Sequence, residues 1–251
     1  LSFVKNSISS TNLEAAGGGG SGNTAEELKM NISANFAAQN RTVTKEDYII
    51  RTLSLSPKLG RVAKAYIQQD DQLSPLTTEP NRIPNPLALN LYTLGYNQNK
   101  QLTTLNTATK TNLATYLEQY RMLTDSINIK DAFIINFAID FTITTFKNYN
   151  NQEVLLQCIT ELKEFFDIDK WQINQPIIIS EVENLIGGIK GVQTVEDVKF
   201  ENKNGEILNY SKYKYGFEKA TLNNIIYPSM DPSIFEIKFP NSDIKGKVTT
   251  Y

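Results

Sequence analysis

Few residues in this sequence could carry out acid–base or nucleophilic chemistry. Among 251 residues there is no histidine and one cysteine, Cys158. Without histidine the commonest general acid/base and the commonest metal ligand are missing together. Serine or cysteine triads built on histidine are excluded, as are zinc sites made from histidine or paired thiolates. Carboxylates remain. The adjacent pair Asp70-Asp71 cannot face one substrate cleft as a glycosidase pair must, because neighbours at a strand end point in opposite directions. It reads as a solvated strand terminus. Asp167 and Asp169 flank Ile168 and could offer oxygens to Ca²⁺, but they lack the ligand ladder and glycine of an EF-hand loop and read as a turn. Asp140 sits inside a long apolar strand, where burial without a partner would be costly, and is placed on an exposed sheet face. Arg41 falls between two helices, where its forked donors suit capping or an inter-helix hydrogen bond. No catalytic residue, cofactor or metal site is expected, and the chain reads as non-enzymatic.

Charge points the same way. Lysine and arginine number 25 against 27 acidic residues, net −2, so no footprint for nucleic acid or an anionic membrane appears. The longest apolar run, residues 132–139, is far short of the ~20 residues a membrane helix needs, so no membrane insertion is expected. The chain begins at Leu1, and a fragment of a longer protein is the expectation.

The elements that would position these residues follow from periodicity. Residues 1–24 form a short opening strand and a flexible hinge at Gly17–Gly20. Thr24-x-x-Glu27 opens a helix over 25–38, with Leu28, Ile32 and Phe36 on one face. Thr44-x-x-Asp47 opens another, carrying Tyr48, Ile49, Thr52 and Leu53, stopped by Pro57 and Gly60. A strand at 62–67 follows, then a Pro-rich loop over 71–86, a half-buried strand over 87–96 and a helix over 107–122. Residues 132–146 alternate, with Phe133, Ile135, Phe137, Ile139, Phe141 and Ile143 on one face. That strand is long enough to require a bend or bulge. A helix over 153–166 buries Val154, Cys158, Leu162 and Phe165, which makes Cys158 a small core residue. Ser180-x-x-Glu183 marks a third capped helix, ended by Gly187 and Gly188, before a strand from Val192 to Phe200.

The order helix, glycine turn, strand occurs twice, at 46–67 through Gly60 and at 181–200 through Gly191. The fold class is therefore α+β, with two similar mixed helix/strand layers, at 25–126 and 127–202, followed by a β-rich arm over 203–251. The arm alternates in two places. Tyr213, Tyr215 and Phe217 oppose Lys212 and Lys214, and Phe235, Ile237 and Phe239 oppose Glu236 and Lys238. Pro228, Pro232 and Pro240 limit such strands to sheet edges. These six apolar residues form the candidate interface of an arm that serves assembly rather than the folding core; the alternative is an arm that folds back and completes its own sheet.

Several blocks resemble one family. Gly17–Gly20, Thr24-Ala-Glu-Glu-Leu28, Gln39-Asn-Arg-Thr-Val-Thr44, Glu46-Asp-Tyr48 and Gly60-Arg-Val-Ala63 look like the signature of the Baseplate J-like family. Arg41, Val43, Thr44, Asp47 and Tyr48 fill its central motif. Trp171, Gln175-Pro176, Ser180-Glu181, Ile186 and Gly191-Val192 resemble its closing segment. The resemblance covers roughly residues 11–200, and the remainder looks most like the large baseplate wedge proteins of T-even-type contractile phages. It implies a structural component of a virion's tail baseplate, made in the host cytoplasm. Such proteins form homodimers, contact other wedge proteins and join wedges into a ring whose rearrangement triggers sheath contraction. The family has no known catalytic residues. The alternative is a carbohydrate- or receptor-binding tail module that stacks sugars on Tyr210, Tyr213, Tyr215 and Phe217.

Overall fold

The structure, a computed structural model, describes residues 41–70, 85, 87–205 and 209–249, together with 25, 29 and 32. The expected opening strand and glycine hinge lie outside the described residues, as do nearly all of the expected 25–38 helix and of the Pro-rich loop over 71–86.

Helix α1 (Lys45–Leu53) starts where the capping signal places it. Thr44 Oγ1 accepts from the Asp47 N–H at 3.2 Å, and Asp47 Oδ2 accepts from the Thr44 and Val43 N–H groups at 3.0 and 3.1 Å. The Thr44 backbone bond is the main cause holding the Asp47 carboxyl below its ordinary value. Thr44→Ala removes one acceptor from the helix start and should cost about 1 kcal/mol. Urea denaturation of the whole chain checks this, and an unchanged midpoint would mean that the cap contributes nothing.

Strand β1 (Lys64–Gln69) runs antiparallel to β2 (Ala88–Tyr96), which continues through a tight hairpin into β3 (Leu102–Thr103). Helix α2 (Thr107–Glu118) is capped by Asn106, and β4 (Ser126–Asp131) returns parallel to β2. Tyr48, Ile67, Leu91, Leu113 and Leu117 fill the core of this first unit. Strand β2 was expected to be half-buried, yet from Asn90 to Gly95 no residue of it is exposed and Leu91 and Leu94 are fully enclosed. The reason is its position. It is the central strand, flanked by β1 and β4, with the first unit's helices on one face and the second unit against the other.

The second unit is built on β5 (Phe133–Thr145), the strand with unbroken alternation. Its Ile135, Phe137, Ile139, Phe141 and Ile143 are buried in one cluster. Helix α3 (Asn151–Phe165) covers that face with Val154, Cys158 and Leu162. Phe165 is only partly buried, and its neighbour Phe166 fills the core position instead. Cys158 is fully enclosed, and burial pushes its thiol up to about 11, as befits a core residue. A two-residue strand β6 (Ile177–Ile178) leads into α4 (Ile179–Gly187) and then β7 (Val192–Asn202), antiparallel to β5. The expected irregularity is present. The β5–β7 register shifts between Thr142 and Ile143 and again between Thr144 and Thr145.

Two expectations need correcting here. Ser180 is expected as a helix cap, but the cap falls two residues earlier, at Ile178, with no side-chain cap bond. More consequential is the C-terminal segment. After α5 (Phe217–Ala220) and the small strands β8 (Thr221–Leu222) and β9 (Ile225–Ile226), β10 (Ser233–Glu236) pairs parallel with residues 133–136 of β5. A single helical turn, α6 (Pro240–Asp243), separates it from β11 (Ile244–Thr249), which pairs parallel with residues 139–144. The segment read as an assembly arm is thus an interrupted strand that completes its own sheet. Phe217, Phe235 and Ile237 are buried in the same cluster as β5, with Tyr215 packed against it. Tyr213 rests edge-on against Phe133, and Phe239 against Tyr210. Alternation in the sequence marks a strand with an apolar face without specifying which sheet that face meets.

The two units do share a plan, in permuted order. Each has a central strand, β2 or β5, with one antiparallel neighbour that follows a helix and a glycine, and a parallel neighbour on its other edge. The glycine in each case lies against the first turn of the helix that follows the central strand: Gly60 against Thr109, Gly191 against Val154.

Candidate functional site

No described residues converge into a catalytic constellation, and several long-range polar contacts lie where the two units meet. An apolar cluster joins them, with Tyr92, Leu94 and Leu102 from the first and Ala132, Ile173 and Ile234 from the second. Asp169 anchors one side. Its carbonyl accepts from Lys64 Nζ at 3.0 Å, and its Oδ1 accepts from the Tyr96 hydroxyl at 2.7 Å. Burial pushes the Lys64 ammonium below its ordinary value, with Asp169 and Asp167 opposing, and burial pushes the Tyr96 hydroxyl upward. The Asp167–Asp169 segment is a turn, closed by the Asp169 N–H donating to Asp167 Oδ1 at 3.1 Å.

Glu236 anchors the other side. It is 3 % exposed, and its two oxygens accept from the Leu102 N–H of the first unit at 2.7 Å and from Asn136 Nδ2 at 2.8 Å. The Ser211 N–H donates to Asn136 Oδ1 at 2.7 Å, which fixes the amide so that its NH₂ group faces the carboxylate. Nothing in the sequence marks this residue, because alternation assigns Glu236 to the solvent side of β10. All four residues of that strand are buried, since β10 lies between β5 and the first unit.

Glu236→Ala leaves two buried donors unpaired and should cost about 2 kcal/mol. The pH dependence has a definite sign. Burial raises the carboxyl above its ordinary value, against the two N–H bonds and Lys238. Its contribution is therefore full below the unfolded-state value and is lost as pH rises through the folded-state value. The parent's stability relative to Glu236→Gln should fall over that interval, and parallel stability–pH curves would refute it.

The motif residues occupy structural positions. Thr44 and Asp47 form the α1 cap. Tyr48 is buried, its hydroxyl donating to Asp125 Oδ2 at 2.6 Å, and burial with that bond pushes it up to about 12. Arg41 is exposed without a hydrogen bond among the described residues, so the inter-helix role expected of it is not seen there. Val43 is exposed, and Thr42 beside it is the enclosed residue, bonded through its N–H and hydroxyl to the Tyr120 carbonyl at 2.9 and 3.0 Å. Trp171 stacks on Phe166 with ring centres 5.4 Å apart, and its Nε1 donates to the Phe165 carbonyl. Glu181 is exposed in the first turn of α4, Gly60 and Gly191 have φ of 124° and 101°, and Val192 is buried in the second core. Asp140 is exposed, as expected. Asp70 is not: it is 4 % exposed and accepts from Asn90 Nδ2 at 2.8 Å and the Asn85 N–H at 3.2 Å. The solvated strand end is in fact a buried carboxylate tying β1 to β2. No helix among the described residues is long and apolar enough to cross a membrane.

No family model matches the chain. No curated protein matches it. Among solved structures it is similar to a chain of the anti-feeding prophage baseplate, determined by electron cryo-microscopy with six-fold symmetry. The identity is 12 % and the TM-score 0.46, over 90 % of this chain and 42 % of that one. This chain thus spans less than half the length of that neighbour, and at this TM-score the likeness establishes no shared role.

Proposed function

We propose that the chain is a structural, non-enzymatic component of a contractile-tail baseplate wedge, located in the tail baseplate of a virion. It associates with a second copy of itself and with other baseplate proteins, and joins wedges into the ring whose rearrangement triggers sheath contraction. The observation that carries the reading is the use made of the motif residues. Thr44, Asp47, Tyr48, Gly60 and Gly191 are spent on a helix cap, a buried hydroxyl bond and two glycine turns, while Asp169 and Glu236 tie the units into one body. A scaffold needs such rigidity and no reactive side chain. The aromatic tail does not favour the glycan-stacking alternative. Phe217 is buried, and the hydroxyls of Tyr210 and Tyr215 are bonded to Asp243 and to the Tyr227 carbonyl.

The test is light scattering of the purified chain over a concentration series, with gold labelling of a tagged copy in whole particles. Concentration-dependent dimers and label at the tail tip support the proposal. A monomer at all concentrations with label elsewhere would end it.

A further inference from the structure

We propose that the second unit carries a binding cleft for a neutral sugar, formed where β5 ends and α3 begins. The cleft has a volume of about 580 Å³, within the range of small-molecule sites. Thr144 and Thr145 lie at its floor, and Tyr149, Asn150, Gln152 and Gln193 are exposed around it. The β5–β7 register shift at Thr144/Thr145 falls at that floor.

Several lining groups are already held in place. Asn150 caps α3, its Oδ1 accepting from the Gln152 N–H at 3.1 Å. Thr145 Oγ1 and Asn151 Oδ1 are 2.7 Å apart. Tyr149 is seated on Gly191, so closely that a Cβ there would lie 2.9 Å from its Cδ1, while 48 % of the residue stays exposed. The side-chain amides of Gln152 and Gln193 make no hydrogen bond among the described residues.

This combination selects the ligand class. Carboxamides both donate and accept, which matches hydroxyl groups that do the same. An exposed tyrosine offers an apolar ring face to the C–H side of a pyranose and a hydroxyl at its rim. An anion is disfavoured even though Lys147 lines the cleft and a helix starts there. Glu196 accepts from the Thr144 hydroxyl at 2.6 Å, and Glu153 sits in the first turn of α3, so two carboxylates offset that positive field. The site is independent of the proposed baseplate role.

The probe is N-acetylglucosamine, as monomer and as β-1,4-linked tetramer, added to the full chain and followed by saturation-transfer NMR. Contact is expected with both. Tighter binding of the tetramer assigns a polymeric glycan, and equal binding assigns a free sugar. Tyr149→Ala and Gln193→Ala, each with a parent-like melting curve, should weaken binding tenfold or more, and glucuronic acid should bind less well than glucose. Absence of transfer from N-acetylglucosamine, glucose and galactose alike overturns the proposal. So does contact that survives both substitutions.

Discussion

Removing residues 205–251 is expected to abolish the cooperative melting transition of this chain and leave it aggregating on expression, because the deletion takes strands out of its second sheet. Strands β10 and β11 are the parallel neighbours of β5 along residues 133–136 and 139–144, and without them that edge lies open. An open edge on a long apolar strand is a template for intermolecular pairing. The core loses Phe217, Ile226, Ile234, Phe235, Ile237 and Ile244, all buried in the intact chain. At roughly 1.5–3 kcal/mol for each buried side chain, the loss is about 10 kcal/mol or more, against a typical total stability of 5–15 kcal/mol. It also removes Glu236 and with it one tie between the units. Circular dichroism melting of the soluble fraction is the measurement. A sharp transition near the parent temperature would show that the segment is dispensable for folding.

The sequence made the local features legible and left the long-range ones open. Thr44 and Asp47 announce a helix start because a capping box is a contract between residues three apart, and the structure shows both of its bonds. The alternation from Phe133 to Ile143 announces a strand with one buried face because each side chain obeys the two-residue period whatever lies above it. Ser180 failed for a related reason: the spacing of Ser180 and Glu183 matches a capping box, yet the chain becomes helical at Ile179, after the pairing of Ile177 and Ile178 with β9. Asp70, Glu236 and the second face of β2 were missed because their burial depends on distant partners. Glu236 meets Leu102 across 134 positions of sequence, and no local pattern encodes that. The same holds for the sugar cleft, where Gln193 joins residues 144–152 only through the β5–β7 pairing.

Gly60→Val and Gly191→Val should each destabilise the chain by about 2–6 kcal/mol, through two costs that act together. The first is conformational. With φ of 124° and 101°, both glycines occupy backbone regions that a side chain, and above all a β-branched one, disfavours. The second is steric. A Cβ at Gly60 would sit 2.4 Å from Thr109 Cγ2, and one at Gly191 would sit 2.6 Å from Val154 Cγ2. Both neighbours lie in the first turn of a helix whose start is capped, so neither backbone can retreat without breaking the Asn106 or Asn150 cap. Forced overpacking of this kind costs about 1–3 kcal/mol by itself. The two contributions separate experimentally. Thr109→Ala combined with Gly60→Ala removes the nearest clashing atoms and leaves φ unchanged, so it should recover part of the Gly60→Ala loss and no more. Full recovery would make the cost wholly steric, and none would make it wholly conformational. Urea midpoints unchanged in both valine variants would mean that neither turn needs a glycine, and the repeated helix–glycine–strand plan would then carry no structural meaning.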